Sequence, residues 1–92
     1  MEYLHKEFEV GPGDTLVVTL NNRANVLMMD PGNFDNYRNG RPYQYHGGYA
    51  TRNRVILSPP SPGRWHVVVN LGGGAGSVRA AVRVVAGKEL AR

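Results

Sequence analysis

Apolar and polar side chains alternate along most of this chain with a period of two, the pattern of half-buried strands. From Tyr3 to Val10, Leu4, Phe8 and Val10 share one face and His5, Glu7 and Glu9 the other, with Lys6 interrupting the apolar side. Gly11-Pro12-Gly13-Asp14 reads as a turn, since proline fixes φ and glycine accepts the positive φ that turns need. Thr15 to Leu20 alternates again, with Leu16, Val18 and Leu20 inward. Asn21-Asn22 opens a second turn, and Asn25 to Asp30 is apolar on both faces, as a central strand would be. Asp30-Pro31-Gly32-Asn33 then breaks the pattern. Residues 33–40 predict one or two helical turns, with Asn33 as the cap, Phe34 and Tyr37 three apart on one side, and Gly40 at the end.

Tyr43 to Tyr49 and Arg54 to Ser58 predict two further strands. They lead to a stiff corner, Pro59-Pro60-Ser61-Pro62-Gly63, which cannot lie inside a sheet. Trp65 to Leu71 is the next strand, and Gly72 to Gly76 reads as a hairpin connection. Ser77 to Val85 closes the pattern, with Val78, Ala80, Val82 and Val84 inward and Arg79 and Arg83 outward. Seven short strands, regularly spaced turn signals and no long helical period predict an all-β fold. The expected architecture is a single antiparallel β-sandwich, jelly-roll-like, with one short helical turn; a closed barrel is the alternative. The 92 residues make one domain, read as a sandwich over residues 1–86 and a frayed tail over 87–92.

Composition narrows the chemistry. With no cysteine there is no disulfide framework and no thiolate metal site. The first residues carry no apolar signal-like core, and the run Val67-Val68-Val69 is cut by Asn70, so the reading is a soluble, cytoplasmic protein. The net charge of +4 is concentrated. Asn36 to Arg54 holds four of the arginines, four of the five tyrosines, His46 and no acid. Guanidinium groups among flat rings suit an anion with a face to stack on. The candidate ligand-binding residues are therefore Tyr37, Arg38, Arg41, Tyr43, Tyr45, Arg52 and Arg54. The competing reading has the tyrosines packed over the sandwich with their hydroxyls at its rim, under solvated arginines.

Other constellations point away from catalysis. The glycine loop leads into a strand and lacks the helix start and Gly-Lys-Ser/Thr ending that cradle phosphate. The three histidines, His5, His46 and His66, fall in no ligand-spaced pair, so no metal and no cofactor is expected; His66 reads as an imidazole bonded to a backbone carbonyl. Glu7 and Glu9 read as a solvated pair protecting an edge strand, and Asp30 and Asp35 as turn and cap residues. No serine stands in a nucleophile elbow. Trp65 reads as the core anchor.

Several motifs in a fixed order also carry a resemblance. They are Leu4-His5, Gly13-Asp14-Thr15-Leu16-Val17-Val18-Thr19-Leu20, Ala24-Asn25-Val26, and Asn33-Phe34 with Tyr37 and Gly40. Gly47-Gly48, Pro62-Gly63-Arg64-Trp65-His66-Val67-Val68-Val69 and Gly76-Ser77-Val78-Arg79 follow. Together they resemble a small bacterial all-β family of unknown function, found as stand-alone chains or joined to TIR-type signalling domains. The resemblance implies a sandwich and a bacterial cytoplasmic setting, and assigns no activity, cofactor or catalytic residue. The expected function is a non-catalytic binding module for a small anionic or nucleotide-like ligand. The alternative is a protein-interaction or self-association module, with nonspecific nucleic-acid binding behind both.

Overall fold

The computed structural model describes residues 3–74 and 76–87. Seven strands and one helix follow in the order β1 (Leu4–Val10), β2 (Thr15–Leu20), β3 (Ala24–Met29), α1 (Pro31–Arg38), β4 (His46–Ala50), β5 (Arg54–Leu57), β6 (Gly63–Asn70) and β7 (Ala80–Val85). One sheet has the order β1-β6-β3-β4 and the other β5-β2-β7, every neighbour antiparallel. The pairs β3–β4, β2–β5 and β1–β6 are nested one inside the next and alternate between sheets, as in a rolled-up long hairpin. The fold is an all-β sandwich of the jelly-roll kind, with β7 added on the free side of β2.

Alternation explains which faces are buried. Leu16, Val18, Val26, Met28, Trp65, Val67 and Val69 meet between the sheets in the main core. A smaller core, Leu27, Met29, Val68 and Phe34, lies on the outer face of the four-stranded sheet beneath α1. Sequence accordingly leaves β3 without a polar face. Trp65 is 6% exposed, and its indole N–H donates to the Ser61 carbonyl at 2.9 Å, tying β6 to the proline corner.

The helix starts earlier than the sequence pattern indicates. Asp30, not Asn33, is the cap: its Oδ1 accepts from the Asn33 N–H at 2.8 Å, and Pro31 occupies the first turn, where its missing N–H is harmless. Strand β4 starts only at His46, so Tyr43 and Tyr45 lie in the extended segment before it rather than on a strand face. The glycine loop is not a hairpin, because β6 and β7 belong to different sheets; it carries the chain across the sandwich. One glycine is dictated by close approach. Gly47 has φ of +117°, and a Cβ there would run into the Val26 carbonyl oxygen of the neighbouring strand. Of the expected tail, residues 88–92 lie outside the described residues, while the Gly87 N–H donates to Asp14 Oδ1 at 2.9 Å.

Candidate functional site

Register decides what gathers on the outer face of the four-stranded sheet. Glu7 stands opposite His66, Glu9 opposite Arg64 and His5 opposite Val68, so one face of β1 meets one face of β6. His5 Nε2 and His66 Nδ1 are 2.7 Å apart. Their rings are 12° from parallel with centroids 5.0 Å apart, the spacing of two imidazoles bonded edge to edge in one plane. Phe34 of α1 lies flat over both, with centroids 4.0 Å from His5 and 4.5 Å from His66. On the far side, His66 Nε2 is 3.4 Å from Glu7 Oε2. Arg64 Nε approaches Glu7 at 3.7 Å and Glu9 at 3.4 Å, so these acids sit against a guanidinium rather than being merely solvated.

His66 is thus bonded to a second imidazole, not to the expected carbonyl. The alternation His5-x-Glu7 and the polar His66 behind Trp65 are visible in the sequence, but only strand register makes them neighbours. With His66 Nε2–H toward Glu7, His66 Nδ1 accepts the Nε2–H of His5, and one proton lies between the rings. Protonating both rings would set two N–H groups face to face. The facing nitrogens leave no room for an ion between them, and no group of three or more metal-ligating side chains forms among the described residues.

Both imidazoles are held below the ordinary histidine value of 6.5. Desolvation is the first cause for each; for His66 the neighbouring His5 adds to it, and Glu7 opposes the shift in both. The unfolded chain therefore binds more protons than the folded one just below 6.5, and stability is full above that pH and lost as pH falls toward the folded values. We expect the melting temperature to decline on acidification from pH 7 to pH 5, and His5→Asn to decline less. A wild-type melting temperature flat over that interval would contradict the pairing.

Five of the seven candidate binding residues assemble beside α1. Tyr37 and Tyr43 meet edge to face at 5.0 Å, Tyr43 and Tyr45 follow at 5.8 Å, and Tyr3 closes on Tyr37 at 5.2 Å. The Tyr37 hydroxyl accepts from Asn70 Nδ2 at 3.0 Å; Asn70 Oδ1 in turn accepts from Asn25 and from the Gly72 N–H. Burial raises the Tyr37 pKa, with the Asn70 hydrogen bond acting in the opposite sense. The Gln44 N–H donates to Asn33 Oδ1 at 2.8 Å, fastening the tyrosine segment to the helix. Beside it opens a cleft of about 430 Å³ whose walls include Asp30, Asn33, Tyr43, Tyr45, His46 and Trp65. Arg38 and Arg41 both reach Asp35, at 3.2 and 2.9 Å, so two guanidiniums share one carboxylate.

Arg52 and Arg54 do not join this group. Between β4 and β5 the chain crosses from one sheet to the other, and Arg54 pairs with Thr19 on the outer face of the three-stranded sheet. The tyrosine segment and the arginine strand are consecutive in sequence but not neighbours in a sheet, so the expected seven-residue surface divides in two.

Neither the curated proteins nor the solved structures offer a match to this chain. Among protein families, residues 1–88 match the one described as Domain of unknown function (DUF1883). With nearly its whole length matched, this β-sandwich belongs to the DUF1883 family.

Proposed function

We propose that this protein is a non-catalytic binding module whose site is the cleft beside α1, taking a small planar anionic ligand such as a nucleotide. One observation carries the reading: the accessible rings of Tyr43 and Tyr45 line a cleft, with two guanidiniums sharing a single carboxylate on the adjoining helix and turn. The rings offer stacking faces, and the guanidiniums of Arg38 and Arg41, set against Asp35 next to the cleft, can turn to a phosphate. Asp30, Asn33 and Gln44 supply polar groups that can orient a base. The resemblance to chains joined to TIR-type signalling domains supports a sensory role in a bacterial cytoplasm.

A thermal-shift screen of nucleotides, nucleosides and inorganic phosphate tests this. A ligand at a hundred times its Kd stabilises by about 2.7 kcal/mol, a shift on the order of 10 °C for a chain of this length. Tyr43→Ala should weaken the response about tenfold or more, as loss of a stacked ring does, without lowering the melting temperature of the free protein by more than a few degrees. No shift with any nucleotide, or a shift indifferent to Tyr43→Ala, would remove the site. A second reading, association through an edge strand, is favoured by β1, a seven-residue strand with an unpaired outer edge. It predicts concentration-dependent dimerisation in light scattering, without dependence on nucleotide.

A further inference from the structure

We propose that the end of the sandwich opposite the helix cap binds the phosphodiester backbone of nucleic acid, through Arg23, Arg52, Arg54 and Arg79. Three segments converge there. The β2–β3 turn carries Arg23, the β4–β5 turn carries Arg52 and delivers Arg54 into β5, and Arg79 immediately precedes β7. They are laced together: the Leu20 N–H donates to the Asn53 carbonyl, the Asn21 N–H to the Arg79 carbonyl, the Arg79 N–H to Asn21 Oδ1, and Asn22 Nδ2 to the Ser77 carbonyl. The arginines therefore stand on a braced platform rather than on independent loops.

Carboxylates, with Arg64 among them, gather at the far end of the molecule. Glu9, Asp14 and Asp30 stand at the end of β1, the start of β2 and the end of β3, which the antiparallel registers place at the opposite pole. All four arginines are exposed, and none has an ion-pair partner among the described residues. Strands are spaced about 5 Å apart in a sheet and sheets about 10 Å apart. Arg54 and Arg79 therefore flank β2 across about 10 Å, while Arg23 leads into the other sheet. That spread exceeds one phosphate group and suits several along a strand.

Two features favour nucleic acid over other anionic surfaces. The turns Asn21-Asn22-Arg23 and Thr51-Arg52-Asn53 carry no apolar side chain to enter a bilayer. Tyr49, 64% exposed on β4 close to Arg23 at the start of β3, presents a face for a base beside that one guanidinium. Neither feature draws on the cleft beside α1.

The test is fluorescence anisotropy of a labelled single-stranded oligonucleotide against the full chain over a range of salt. For three to four neutralised phosphates, log affinity should fall with log salt at a slope of about −2 to −3. R23E/R54E should weaken binding at least tenfold and flatten that slope, whereas the charge-matched K6E/R83E, at exposed mid-strand positions of β1 and β7, should do far less. The neutral pair R23Q/R52Q, confined to turns, should act in the same direction and covers the case where R54E disturbs β5. Absence of binding at low salt, indifference to R23E/R54E and R23Q/R52Q, or as great a loss in K6E/R83E would each overturn the assignment. Equal binding of polyglutamate or phosphatidylserine vesicles would overturn it for nucleic acid.

Discussion

Replacing Trp65 with alanine is expected to destabilise the domain by about 3–5 kcal/mol, a large share of the roughly 5–15 kcal/mol that a small domain has. The melting temperature should fall by about 15–30 °C. The side chain fills the main core between the sheets at 6% exposure, so its loss leaves a void bounded by Phe8 on the paired strand and by the His46 ring, 5.9 Å away. The substitution also leaves the Ser61 carbonyl without the indole N–H that holds the proline corner. Trp65→Phe separates the contributions, keeping a ring while losing that bond, and should fall well short of the alanine effect. Thermal melts followed by circular dichroism would check both. An alanine variant melting near wild type would show that the indole is not what holds the sheets together.

Gly47→Ala is the second large effect, although it adds only a methyl group. Backbone at φ of +117° is unfavourable for any L side chain, and the new Cβ points into the Val26 carbonyl oxygen across the β3–β4 ladder. Strained backbone contributes about 1–3 kcal/mol, and overpacking a similar amount, so a loss of about 2–5 kcal/mol is expected in chemical denaturation. Relief comes most easily by peeling β4 from β3, which would also spoil the cleft that His46 helps to line. Gly48→Ala is the internal control. Its φ of +155° is also unusual, but nothing lies within 4 Å of an added Cβ, so its effect should be smaller. Equal losses at both positions would show that the carbonyl contact is not responsible.

Period-two alternation marked strands such as β1, β2 and β7, which have one face on the core, whereas β3 was marked by apolar residues on both faces, one on the main core and the other under the helix. Trp65 was readable for the same reason: a large ring in phase with Val67 and Val69 belongs to the buried set. The start of α1 was not legible, because Asp30-Pro31 signals a strand break and a helix start equally well. The paired histidines were hidden because their contact joins strands 61 residues apart, and alternation gives a face without a neighbour. The binding residues were half legible. Tyr37, Tyr43 and Tyr45 stay together because a short helix and the segment after it fold back on one another. Arg52 and Arg54 were misplaced because a crossing between sheets leaves no local mark, and proximity in sequence was the only guide.

The nested pairing also sets an order of assembly. Joining β3 to β4 closes only the loop that contains α1, whereas joining β1 to β6 must bring together segments separated by most of the chain. Loop-closure entropy rises with that separation, and topologies dominated by distant pairings fold in milliseconds to seconds rather than microseconds. The outermost pair has least reason to form before the inner ones are in place. The imidazole contact that spans it then reports on the closed roll, a marker of a late step rather than a seed for the first, with only the still more distant β2–β7 pairing left to add.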